Sequence, residues 1–261
     1  MLMPGSPWWF WTLTAIGLSA VPAEAIVADQ AERGPDIVIE YRIERMADIG
    51  PDLSARFTTT QQALLEKLNR VDVRHMPRLA DLVVPLTWND ELEHSPFPQT
   101  YTAAAALPKL VVVDQPMQAF AAYESGRLTR WGPVSSGRQG RPTPSGLFHL
   151  NWRTRVRNST LNGEWRLNWY FNFHNARGLA LHQYELPGLP ASHACVRLLE
   201  RDAMWIYQWG QGWTLDSKGQ LLENGTPLLI QGDYAFGAPP PWRSSEQLAR
   251  RIVLPEVVPE P

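Results

Sequence analysis

The chain has a single cysteine, Cys195, so no disulfide can form within it. It has no surplus of positive charge: 24 Lys and Arg stand against 26 Asp and Glu, a formal net charge of -2. A general nucleic-acid binder needs a basic face to neutralise phosphates, and this balance argues against one. The spacings Cys-x-x-Cys and His-Glu-x-x-His, which mark many zinc sites, do not occur. Charged residues are only 19% of the chain, too few for a charged coiled coil, and 44% apolar residues exclude a chain disordered throughout. No internal repeat is visible.

What is present is aromatic and angular: 12 Trp and 23 Pro in 261 residues, a length that serves one large domain or two small ones. Trp brings broad flat surface, useful in cores and in clefts that hold sugars or peptides. Residues Trp8 to Val21 form an apolar run, shorter than the ~20 residues of a bilayer span. Pro22 and the small-x-small sequence Ala23-Glu24-Ala25 follow it. We read residues 1–25 as a cleaved export signal. No Lys or Arg precedes the run, which leaves an uncleaved anchor as the alternative. Either reading puts the remainder outside the cytoplasm, in the periplasm or cell envelope. A lone thiol in an oxidising compartment is a hazard unless it is buried or used.

Four further regions follow. Residues 26–87 read as a small α/β subdomain, with alternation over Ile37–Ile43, a helix over Thr58–Leu68 and a short strand at Leu82–Pro85. Its segments ALLEKLNRVDV and LADLVVP are similar to a LysM peptidoglycan-binding module without the usual Gly-Asp-Thr start; a plain packing subdomain is the other reading. Residues 88–108 are rich in Pro, Ala and polar groups, as a linker is. Residues 109–232 carry many short strand signals, a Glu124-Ser-Gly-Arg127 hairpin turn and one late helix, Asp202–Trp209. That pattern predicts a mainly β fold, a sandwich or barrel with one late helix. Residues 233–261 form a Pro-rich tail, expected to be loosely ordered with a short helix at Ser245–Ile252.

The chemistry concentrates in 181–198, LHQYELPGLPASHACVRL. His182 ends a strand candidate. The Pro187-Gly188-Leu189-Pro190 stretch can turn the chain back, so that His182 meets Cys195. An imidazole beside a thiol favours the thiolate and lowers its pKa. Trp165 and Trp169 are placed beside the cleft, whereas Trp205 and Trp209, at i, i+4 spacing, read as packing. Zinc held by His182, His193 and Cys195, or an inert buried thiol, are the alternatives.

At these residues the sequence resembles the L,D-transpeptidase family, the YkuD domain. Ser192-His193-Ala194-Cys195-Val196-Arg197 matches its Ser/Thr-His-Gly-Cys motif at all but one position, and His182 matches its upstream His. Pro142-Thr-Pro-Ser-Gly-Leu-Phe148 is similar to its TPxGxF segment. Asp202-Ala203 and Gly225-Thr-Pro-Leu-Leu-Ile230 are similar to its helix and closing strand. The likeness runs from about Lys109 to Gln231.

The resemblance implies that Cys195 is the nucleophile and His182 the base, its ring oriented by the backbone carbonyl of Gln183. Backbone amides around His193, Ala194 and Cys195 would form the oxyanion hole. Arg197 would shape the site or pair with a substrate carboxylate, and Ser192 would brace the turn. The substrates implied are peptidoglycan stem peptides, with an amine of the wall or of a wall-attached protein as acceptor. Water as acceptor would give a carboxypeptidase or endopeptidase; a non-catalytic wall-binding protein is the reading from another class. The chemistry calls for no cofactor, metal or nucleic acid, and for the membrane only through the export signal. Two departures stand out: Ala194 replaces the family Gly, where a positive φ would strain it, and the His182–Ser192 interval is shorter than usual.

Overall fold

The computed structural model describes residues 39–244 and 251–259. The expected export signal and the residues Ile37 and Val38 lie outside them, as does most of the expected tail helix. Among the described residues no helix is long and apolar enough to cross a membrane.

Strand β1 (Tyr41–Arg45) leads into the short helix α1 (Met46–Ile49), then α2 (Thr59–Asn69) and strand β2 (Asp81–Pro85), which pairs antiparallel with β1. Thr58 starts α2 with a capping box: its hydroxyl accepts the Gln61 amide at 3.3 Å while the Gln61 side chain accepts the Thr58 amide at 2.9 Å. Arg70 ends the helix in the left-handed region, φ 57°. Leu65, Val71, Met76, Leu82 and Val84 form the local core.

The next eleven strands are β3 (Leu110–Asp114), β4 (Ala119–Glu124), β5 (Arg127–Ser135), β6 (Gly146–His149), β7 (Arg153–Asn158), β8 (Arg166–His174), β9 (Leu179–Gln183), β10 (Val196–Leu198), and, after helix α3 (Glu200–Trp209), β11 (Thr214–Leu215), β12 (Leu221–Glu223) and β13 (Pro227–Gln231). Nine of them make one mixed sheet in the order β6-β13-β3-β4-β5-β10-β9-β8-β7. The fold is mainly β. Phe148 on edge strand β6 packs on Phe173 of β8, ring centroids 5.3 Å apart, so the sheet curls back on itself.

The concave face encloses Val111, Val113, Phe120, Phe171, Leu181 and Val196, and α3 closes it with Ala203 and Ile206. The opposite face, with Val112, Ala121, Tyr123 and Trp131, is covered by Leu64 and Leu68 of α2. Being covered on both faces is why β3 reads as an unbroken apolar run rather than an alternating one. The β4–β5 hairpin turns on Ser125 and Gly126 with φ 46° and 76°, the sign a primed two-residue turn needs. A Cβ on Gly126 would stand 2.7 Å from the Tyr101 carbonyl oxygen.

Two expectations are corrected by burial. The 88–108 stretch is not a free linker: Phe97 and Tyr101 are buried, and its backbone joins the β4–β5 hairpin through Tyr101 N–H to Gly126 O at 2.7 Å and Leu128 N–H to Gln99 O at 2.9 Å. Its composition reflects irregular backbone, and its aromatics dock on the sheet. The tail is anchored where it is described. Trp242 is fully buried and Ile252 packs on the convex face, its amide donating to Pro96 O at 2.7 Å.

Candidate active site

Strands β9 and β10 run parallel, with Val196 opposite Leu181 and Arg197 opposite His182. Side chains alternate along a strand, so Cys195 and Arg197 share a face, and Ala180 and His182 share the same face beside them. That face forms a wall of a cleft of about 500 Å³, which also takes Ser192, His193, Ala194, Tyr170 and Tyr184. The sulfur is half-buried.

The approach to Cys195 is a tight turn locked from beneath. Ala194 has φ 80°, the left-handed conformation that favours glycine; for an alanine this costs about 1–2 kcal/mol. Its methyl group is buried in the concave core. The Ser192 hydroxyl donates to the Cys195 carbonyl, and the Thr143 hydroxyl reaches the same oxygen at 3.4 Å. The Ser192 amide donates to Ser136 O at 3.0 Å. The amides of His193, Ala194 and Cys195 donate to no protein acceptor among the described residues. Successive free amides about a left-handed residue form a nest suited to an anion.

His182 is buried, and its Nδ1 lies 3.0 Å from the Gln183 carbonyl oxygen. Burial pushes its pKa down to about 4, with the Arg197 charge acting in the same direction, so the imidazole is neutral at neutral pH. Tyr170 stacks on the ring, interplanar angle 13°, and Tyr184 meets it edge-on. Burial raises the Cys195 thiol; the Ala180 amide and the Arg197 and Arg157 charges pull it back in part. The sulfur sits 4.0 Å from Gly178 O, and no hydrogen bond joins it to His182. Burial thus pushes both groups toward their neutral forms, against the thiolate that an adjacent imidazole favours. Desolvation outweighs the attraction of the nearby cations.

His193 is turned out of the turn. Trp165 packs on it at 5.3 Å and the Arg138 guanidinium lies 3.2 Å from its Nε2. Arg197 spreads over Tyr184 at 4.6 Å. Trp165 lines the cleft, but Trp169 does not; it lies under Arg155 at 3.9 Å and packs on the concave core. Trp205 and Trp209 stack on each other at 4.8 Å.

Sequence reasoning missed Arg141, Arg157 and Arg177, which join Arg197 in lining the cleft, while no Asp or Glu does. In a chain of net charge -2 this is a local positive field. The available signal was the alternation Arg153, Arg155, Arg157, which marks an edge strand bearing charge. Tyr184, the surface on which both His182 and Arg197 rest, was missed as well. Among the described residues no three His, Cys, Asp or Glu side chains are grouped to share a metal ion.

The fold and the site define a mainly β protein with a thiol and an imidazole presented to a cationic cleft. Residues 108–230 match the family model of YkuD, the L,D-transpeptidase catalytic domain. No curated protein matches. Among solved structures the chain is similar to an L,D-transpeptidase from Stackebrandtia nassauensis at 24% identity, over 49% of this chain and 58% of that one, TM-score 0.40. It is also similar to an L,D-transpeptidase from Mycobacterium smegmatis at 20% identity, over 48% and 59%, TM-score 0.39. A third is L,D-transpeptidase 3 from Mycobacterium tuberculosis in complex with a faropenem-derived adduct, at 19% identity, over 48% and 60%, TM-score 0.38. This chain thus spans 58 to 60% of the length of these three structures.

Proposed function

We propose that the chain is an exported, cysteine-dependent L,D-transpeptidase acting on peptidoglycan stem peptides. The observation that carries this reading is the placement of Cys195, His182 and a nest of free amides on one wall of a cleft lined by four arginines. A stem peptide is rich in carboxylates, and guanidinium forks suit them.

With Nδ1–H donating to the Gln183 carbonyl, Nε2 of His182 is left to accept a proton. As the sulfur attacks the carbonyl carbon of the diamino-acid residue, the thiol proton passes to that nitrogen. The oxyanion that forms is held by the amides of the 193–195 turn. When the tetrahedral centre collapses, the C–N bond to D-Ala breaks, the imidazolium protonates the departing amine, and an acyl thioester remains. An amine of a second stem or of a wall-attached protein then attacks the thioester. Its proton goes to His182, the C–S bond breaks and the thiol is restored. Because burial keeps His182 neutral, the imidazole is available to take the thiol proton. Ala194 supports catalysis over a wall-binding role: its backbone adopts the glycine-like conformation of the turn despite the added methyl.

The test is intact mass after incubating the full chain with a stem tetrapeptide or a carbapenem. An adduct on Cys195 is expected, and Cys195→Ala should lower the acylation rate by roughly 10⁴-fold or more. A wild-type protein that takes no adduct, or an adduct that persists in Cys195→Ala, would overturn the reading. Muropeptide profiling separates dimer formation from simple release of D-Ala.

A further inference from the structure

The chain between His182 and Cys195 does not cross the surface freely. The segment after α2 takes hold of it from the side. The amide of Asp72 donates to Leu186 O at 3.0 Å, and the Leu186 amide donates back to Asp72 Oδ2 at 2.8 Å. The other carboxylate oxygen accepts the His75 amide at 3.0 Å and faces His75 Nδ1 at 2.8 Å. Val71 bridges Pro187 in antiparallel register, and Leu186 is fully buried. Gly188, at φ 88°, lets the chain lie 3.8 Å from Val71 and Leu79 as measured from its Cβ position. Further along, the Ser135 hydroxyl donates to Leu189 O at 2.7 Å and accepts the Ala191 amide at 3.0 Å.

What this grip controls is Tyr184, two residues before Leu186. Its amide donates to Leu198 O at 3.2 Å, and its ring meets His182 edge-on and carries the Arg197 guanidinium. The Gln183 carbonyl that orients the imidazole is the preceding group. Residues 183–186 are therefore a short span held at both ends, with the base and the cation resting on its middle.

We propose that Asp72 is a positioning residue: the Asp72–Leu186 clamp lets the 39–87 region set Tyr184, and through it His182 and Arg197, for reaction at Cys195. The region beside the catalytic sheet is on this account part of the catalytic apparatus. The inference rests on the reading of Cys195 and His182 given above.

The experiment uses the full chain with Asp72→Ala and the near-isosteric Asp72→Asn, which keeps one acceptor should the alanine variant fail to fold. Two rates are read on Cys195 at a temperature where circular dichroism shows the fold intact: acylation by a carbapenem, and alkylation by iodoacetamide as a function of pH. Misplacing the base by a fraction of an ångström to an ångström should slow acylation about ten- to a hundredfold in the alanine variant and severalfold in the asparagine one. A loosened loop admits water to the sulfur, so the alkylation profile should move to lower pH at the same time. A purely structural residue would lower the melting temperature and leave both rates of the folded protein alone, and that result would overturn the proposal. If the wild-type protein takes no carbapenem, the catalytic reading fails, while an unchanged alkylation profile in the variants would separately remove the clamp.

Discussion

Arg70 and Arg197 each lie over aromatic rings, yet their surroundings leave them with opposite capacities. Arg70 is fully buried between Trp131 at 5.5 Å and Trp242 at 5.8 Å. It donates to the carbonyls of Met117, Lys67 and Leu68. No carboxylate forms an ion pair with it among the described residues, and burial pushes its pKa down to about 9. A guanidinium has five N–H donors, and Arg70 makes three hydrogen bonds to backbone through Nε and Nη1. Arg197 rests on one ring, reaches a single carbonyl, Glu185 O at 3.4 Å, and opens on the cleft. The first joins α2, the sheet and the C-terminal segment into one body. The second keeps donors free for a ligand.

The largest test of this contrast in stability is Arg70→Ala. It removes a packed side chain and leaves three buried carbonyls without a donor, which should cost about 3–5 kcal/mol. Arg157→Gln, at the half-buried rim of the cleft, should change stability by less than about 1 kcal/mol. Chemical denaturation of both variants measures the difference, and similar losses would erase the distinction between the two settings.

Acid sharpens the comparison next. The folded pKa of His182 lies below its unfolded value, so between pH 6.5 and about 4 the unfolded chain binds the extra proton. Its contribution is present above pH 6.5 and is lost as pH falls through that window, amounting to about 3 kcal/mol in full. His182→Gln should flatten the fall in melting temperature across this range. A parallel fall in both proteins would show that the ring is not held neutral by burial.

The smallest effect belongs to Ala194. Glycine there would relieve the positive φ, but it gives up a buried methyl group and adds freedom to the unfolded chain. These changes nearly cancel, and Ala194→Gly should shift stability by less than about 1 kcal/mol with acylation kept. A loss of several kcal/mol would mean that the methyl, not the backbone, shapes the turn.

How far the sequence reveals this molecule depends on whether the signal is local. Helix α2 carries its own capping box, the β4–β5 turn its Ser-Gly pair, and β3 its apolar run, so these elements are readable in place. Residues 108–230 are matched by the family model within one residue, at each end, of the span suggested by short motifs. Strand β7 escaped notice because an edge strand of alternating arginines looks like solvated surface, and β10 because three residues carry too little pattern. Lys67 and Arg70 resemble the polar end of an exposed helix; only the fold reveals that Trp131 and Trp242 enclose them. At the site, Cys195, His182 and the turn were legible as a motif. The rest was not: Tyr184 stands two residues from His182 but belongs to no motif, Asp72, Arg141, Arg157 and Arg177 lie outside 181–198, and the desolvation of Cys195 and His182 is encoded by no spacing.

The parallel pairing of β9 with β10 separates two quantities, the spacing of Cys195 from His182 and the length of chain that joins them. The distance across the pair is set by neighbouring strands, so it does not depend on how many residues join them. The sheet thus fixes the spacing, while the orientation of the imidazole is left to the connection, whose first carbonyl, that of Gln183, faces Nδ1 at 3.0 Å.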